Sequence, residues 1–151
     1  MARAMDLGTE EIVRILKSDE ARKAFEENGV LAAYLYGSAA HGGMHVHSDV
    51  DVAVVFEHSV PAKEQFNRRL KLIGIVTDLL QMDDVDVVPL NSAPLLLVFE
   101  VLKAPVILYK ADDYRAAEYE IGALGVCYDF LPILDSYIAV MRARIKERGL
   151  R

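Results

Sequence analysis

Residues 34–56 read YLYGSAAHGGMHVHSDVDVAVVF, and the fold is decided there. The apolar run from Val30 to Tyr36 has the length of a buried strand, and Gly37-Ser38 ends it where the chain must turn sharply. A small helix starting at that turn would aim the amides after Gly37, together with the Ser38 hydroxyl, at an anion of phosphate size. The loop over 41–48, with Gly42-Gly43 and the histidines His41, His45 and His47, is too polar for a core. From Asp49 to Phe56 the pattern is that of a strand, with Asp49 and Asp51 on one face and Val50, Val52, Val54 and Phe56 on the other. Two carboxylates at that spacing repel unless a cation stands between them. A hard divalent ion such as Mg²⁺ suits the pair, because it completes its oxygen shell from water and substrate phosphates.

Outward from this stretch the chain alternates. Gly8 or Thr9 can cap a helix over 10–17, and Ser18 opens a second that Asn28-Gly29 stops. Pro61 suits the first position of a helix running to about Gln81, with Leu70, Ile73, Val76 and Leu80 inward. Arg68, Arg69 and Lys71 lie outside that stripe, as a solvated face or as phosphate or partner contacts. MDDVDVVPLN then gives a strand from about Asp84 to Val88 ended by Pro89, with Asp84 and Asp86 on one face and Val85 and Val87 on the other. Asn91 or Ser92 can cap a helix from Pro94 to about Lys103, and Val106 to Tyr109 form a further strand. The last forty residues are helical from Asp112-Asp113, with a break or kink expected at Pro132. The alternation implies an α/β or α+β two-layer domain, a small mixed sheet flanked by helices, whose strand order local connections do not fix. The 151 residues fit one domain, with a core over about 30–110 and C-terminal helices over about 112–149.

Seventeen Lys and Arg against 23 Asp and Glu leave a net charge of −6, which argues against broad nucleic-acid binding. The single cysteine, Cys127, forms no internal disulfide and reads as a packing residue in a reducing cytoplasm. The N-terminus lacks the apolar segment of a signal peptide, and no stretch runs to 18 apolar residues, so no membrane association is expected.

Gly37, Ser38, Gly42, Ser48, Asp49 and Asp51, with nine residues between the two serines, resemble the signature of minimal nucleotidyltransferases (MNT) of the DNA polymerase β superfamily. Five such residues would coincide by chance about once per million start points. The resemblance implies a nucleotidyltransferase fold, with Asp49, Asp51 and Asp86 as catalytic metal ligands for a pair of Mg²⁺ ions. In the resembled family the neighbouring strand supplies the third carboxylate, a role that by position would fall to Asp86 in preference to Asp84 at the strand mouth. Gly37, Ser38 and Ser48 would hold the nucleotide. Capping of a turn is the plain alternative for Asp49 and Asp51.

The segment LNSAPLLLVFEVLKAPVILY and Tyr128-Asp129-Phe130 narrow the resemblance to MntA-type antitoxins paired with HEPN ribonuclease toxins. Such proteins move AMP from ATP to a toxin tyrosine, which implies a cytoplasmic hetero-oligomer with a HEPN-type toxin as partner. The chain departs from that pattern at His41 and Val98, where relatives commonly have Arg, and at Pro89, where Asp is frequent. The histidines at 41, 45 and 47 also invite a zinc reading, but they lack a cysteine cluster, and a mobile polar loop accounts for them equally. Two further functions compete: a non-catalytic nucleotide-binding antitoxin that acts by occupancy, and a nucleotidyltransferase for small molecules. The latter enzymes carry an additional domain to enclose their acceptor, whereas the catalytic stretch and its supports fill nearly all of this chain.

Overall fold

The computed structural model of the chain describes residues 7–41 and 49–147. Helices α1 (Thr9–Leu16) and α2 (Asp19–Glu27) precede strand β1 (Val30–Tyr36), and a short 3-10 turn (Gly37–Ala39) follows it. Then come β2 (Val50–Phe56), α3 (Ala62–Leu80), β3 (Val85–Pro89), a second 3-10 turn (Leu90–Ser92), α4 (Leu95–Leu102), β4 (Val106–Lys110) and α5 (Asp113–Glu147). The strands form a mixed sheet in the order β3-β2-β1-β4: β2 pairs antiparallel with β1 and parallel with β3, and β4 runs antiparallel to β1.

The apolar character of β1 and β2 follows from their central places, because helices cover both faces of the sheet. On one face Val50, Val52, Val54 and Phe56 meet Ile12 and Leu16 of α1, Phe25 of α2, and Leu72, Val76 and Leu80 of α3. On the other face Tyr34, Ala53 and Val55 meet Val98, Val101 and Leu102 of α4, with Ala116 and Cys127 of α5. The fold class is the expected one, and the second helical side adds a layer to the two anticipated. A bulge in β1 between Val30 and Ala32 changes which residues face which side, so Val30 and Ala33 share one core while Leu31 and Ala32 share the other.

Gly8 and Ser18 stand at the helix starts expected of them, while other boundaries and roles differ from expectation. Gly8 is the cap residue of α1, while the Thr9 hydroxyl donates to the Ala39 carbonyl at 2.6 Å and ties that helix to the turn after β1. Ser18 caps α2 by accepting from the Ala21 amide at 3.3 Å. Pro61 stands one place before α3, and Asp84 precedes β3 with its carbonyl accepting from the Val50 amide at 2.8 Å. Pro94 stands at the start of α4 without a side-chain cap, so neither Asn91 nor Ser92 caps it. The Asn91 amide instead turns back to Phe56, accepting from its N–H at 2.8 Å and donating to its carbonyl at 3.0 Å.

The expected break at Pro132 does not occur, and α5 is one helix from Asp113 to Glu147 rather than several. The ring removes one amide donor, and the carbonyl it orphans belongs to Tyr128, which is exposed, so water can satisfy it. The Ser136 hydroxyl donates to the Pro132 carbonyl at 3.1 Å one turn later. Cys127 is buried, its thiol 3.8 Å from the Leu95 carbonyl and pushed up by burial, which fits packing rather than reactivity.

Candidate active site

Register assembles the site. Tyr36 is the partner of Asp51 across β1 and β2, and Asp51 is the partner of Asp86 across β2 and β3, so three adjacent strands carry a Tyr-Asp-Asp row. Residues paired in this way project to the same face, here the face of Ala53 and Val55 and away from the packed valines. Asp49 lies exposed immediately before β2. Asp84 makes its strand contact through the backbone, which leaves Asp86 as the carboxylate of β3 in register with Asp51.

Gly37 closes the row from above. Its φ of +73° lies in the left-handed region, and a Cβ there would stand 2.9 Å from Asp51 Oδ2. Both the conformation and the space therefore call for glycine. Ser38 is exposed beside it. The helix expected after Gly37 is only a 3-10 turn, in which the Ala40 amide donates to the Gly37 carbonyl at 3.1 Å and the His41 amide to the Ser38 carbonyl at 3.3 Å. Two of the amides expected to face an anion are thus engaged within the turn, which reduces the anticipated cradle to Ser38 and the amides before Ala40. His41 is exposed at the end of the turn. Ser48, Gly42, Gly43, His45 and His47 lie outside the described residues.

The carboxylates repel one another. Burial raises the pKa of Asp51 first, and the charges of Asp49 and Asp86 raise it further. The Tyr36 hydroxyl is pushed up to about 12 by burial, then by Asp51 and Asp86, with Arg69 acting in the opposite direction. Asp86 is held by a residue that sequence reasoning left on an outer helix face. Arg69 of α3 donates from Nη2 to Asp86 Oδ1 at 2.9 Å and from Nε to the Val87 carbonyl at 2.6 Å. The Val87 amide also donates to Asp86 Oδ1 at 2.9 Å. Arg69 and Asp86 side chains are 32% and 45% exposed, so the pair fixes a position more than it stabilises the fold. No spacing in the sequence announces this contact, because it arises from α3 packing along the edge strand. Tyr36 was also missed, although it directly precedes Gly37 and lies in register with Asp51.

Hard oxygen donors with mutual repulsion are the chemistry that a divalent cation relieves, so Asp49 and Asp51 fit Mg²⁺. Asp86 fits through Oδ2, since Oδ1 accepts two hydrogen bonds. As the side chains stand, no three His, Cys, Asp or Glu residues among the described residues converge closely enough to hold an ion. Val98, one of the departures from the resembled pattern, is 6% exposed in the core beneath α4 and takes no part in the row. Pro89, another, pairs with Val54 at the end of β3.

Known proteins resemble the chain at the level of family and fold. Over 49 residues the chain is 41% identical to spectinomycin 9-adenylyltransferase of Staphylococcus aureus, a match covering 31% of this chain and 19% of that protein's length. The fold recurs in a crystallised toxin-antitoxin complex with AMP-PNP, at TM-score 0.59 and 22% identity over 80% of this chain and 99% of the other. A complex of tri-AMPylated Shewanella oneidensis HEPN toxin with MNT antitoxin is similar at TM-score 0.53 and 21% identity, over 77% and 91% of the respective chains. The family model described as polymerase beta, nucleotidyltransferase, matches residues 19–114, more than half of the chain, and the protein belongs to that family.

Proposed function

We propose that the chain is a Mg²⁺-dependent adenylyltransferase that moves AMP from ATP to a tyrosine hydroxyl of a partner HEPN-type toxin in the cytoplasm, and so acts as an antitoxin. The observation that carries this reading is the cross-strand pairing of Asp51 with Asp86, with the Asp51 carboxylate lying against the left-handed Gly37 turn. An anion seated at such a turn has its phosphorus beside the carboxylates, which is the juxtaposition nucleotidyl transfer requires. Similarity to a protein crystallised with AMP-PNP and to an MNT antitoxin in complex with an AMPylated toxin supports the choice of nucleotide and partner.

In this reading Ser38 and the amides at the start of the turn hold the terminal phosphates, and Ser48 is assigned to nucleotide binding by the sequence signature. The acceptor oxygen attacks the α-phosphorus, a new O–P bond forms, the bond to the β-phosphate bridging oxygen breaks, and pyrophosphate leaves. Asp86, with Oδ2 uncommitted to Arg69, accepts the hydroxyl proton. Bound Mg²⁺ would supply charge neutralisation on the phosphate oxygens, held by Asp49, Asp51 and Asp86.

The test is D86N, co-expressed with the toxin while growth and toxin mass are followed. Toxicity despite an intact complex is expected. Rescue with no added AMP mass would overturn the enzymatic reading in favour of neutralisation by occupancy.

A further inference from the structure

The second half of α5 is not used by the site or by either core. The helix is long and apolar enough to cross a bilayer by length and composition, yet only 6% of its most apolar window is buried. An apolar surface of that extent on a soluble fold marks a contact waiting for a partner. Along it Leu131, Leu134, Ile138, Met141 and Ile145 recur at alternating steps of three and four, the seam of a coiled coil, with Ile133, Tyr137 and Val140 exposed on the adjoining face. Pro132 stands off that seam, beside Leu131, so its ring does not obstruct it.

We infer that this helix pairs antiparallel with the same helix of a second copy of the chain, making a two-fold dimer. The charges choose this occupant. Acidic Asp129 and Asp135 lie in the earlier part of the segment and basic Arg142, Arg144 and Lys146 in the later part. A parallel copy would set like charge beside like, whereas an antiparallel copy sets each group against its opposite. The register follows from the seam. Seating Ile138 against Met141 of the second copy also seats Leu134 against its Ile145, and the flanking position of Asp135 then falls beside Arg142 of the second copy. Symmetry makes each contact twice. On the other flank Tyr137, 62% exposed in the single chain, falls beside Arg144 of the second copy, an arrangement suited to cation–π contact. A bilayer offers no such match, because Asp129 and Asp135 would have to enter it uncompensated.

Sedimentation of the full chain without toxin tests the inference, using wild type, D135R, R142D and the double variant. All of the changed positions are exposed, and circular dichroism verifies that each variant is folded. The expected result is a wild-type dimer, at least about tenfold weaker association in each single variant, and recovery in the double variant, since matched charges fix register. A wild-type chain that stays monomeric at about 100 μM would overturn it, as would a dimer whose single variants associate normally or whose double variant does not recover. Binding of monomer to phosphatidylglycerol vesicles, or single variants that lose only the toxin, would overturn it in favour of a lipid or toxin surface.

Discussion

Strand β1 begins and ends at glycines that look alike in backbone terms and differ in what surrounds them. Gly29 has φ +70° and Gly37 has φ +73°. A Cβ on Gly29 would stand 2.6 Å from Val60 Cγ2 and 2.8 Å from Arg68 Nη1, in a corner where the Glu57 amide donates to the Gly29 carbonyl at 2.8 Å. A Cβ on Gly37 would instead meet the carboxylate of Asp51 at 2.9 Å. The same conformational demand thus serves packing at one end of the strand and the proposed site at the other. A glycine in a left-handed turn is by itself silent about function; its nearest side chain decides.

The sharpest break between the two ends should come from the carboxylates. D49N and D51N are each expected to lower AMP transfer by about 10³-fold or more while the folded content seen by circular dichroism is unchanged, as removal of metal-binding charge predicts. Near-normal rates in saturating Mg²⁺ would refute the assignment.

Next come the glycines themselves. G29A should cost about 2–4 kcal/mol in urea unfolding, from left-handed strain plus overpacking, and leave the rate per folded molecule intact. G37A should cost only about 1–2 kcal/mol and yet reduce transfer by about tenfold or more, because the displaced group is Asp51. Equal losses of stability and rate in both variants would erase the distinction. A smaller effect is expected from S38A, which should weaken binding of a non-hydrolysable ATP analogue by the worth of one hydrogen bond, about 0.5–1.5 kcal/mol by calorimetry.

The smallest effect has the opposite sign. Asp51 has a folded-state pKa above its ordinary value, because burial and then Asp49 and Asp86 penalise its ionised form. Its ionisation therefore opposes folding. The penalty grows as pH rises through the unfolded value to the raised folded one, and vanishes below the unfolded value. Without metal, D51N should be more stable than wild type at neutral pH by less than about 1 kcal/mol, with the advantage fading below about pH 4 in thermal unfolding.

The sequence is informative where function and local pattern coincide. Alternation from Asp49 to Phe56 separates carboxylates from core valines, and the structure keeps that separation, with Val50, Val52 and Val54 buried. The parity of VDV is enough to put Asp86 on the same face as Asp51. What escapes is whatever depends on distant parts meeting. Arg69 reaches Asp86 only because α3 runs along β3, and Asn91 finds Phe56 only after the sheet has formed. The order β3-β2-β1-β4 is likewise a tertiary choice that short connections leave open. At Pro132 the helix does not end, because on an exposed surface the carbonyl left without its amide donor is open to solvent.

The bond pair from Asn91 to Phe56 has a consequence for how the sheet ends. The β2–β3 ladder runs out at Val54 and Pro89, and proline has no amide to continue it. Phe56 would otherwise present a vacant donor and acceptor at that point, the template on which foreign strands add and aggregates grow. The carboxamide of Asn91 offers the same donor and acceptor as a peptide group and fills the vacancy with a single side chain. The sheet is therefore terminated by a molecular plug, and the Phe56 amide should exchange with deuterium as slowly as its neighbours inside the ladder.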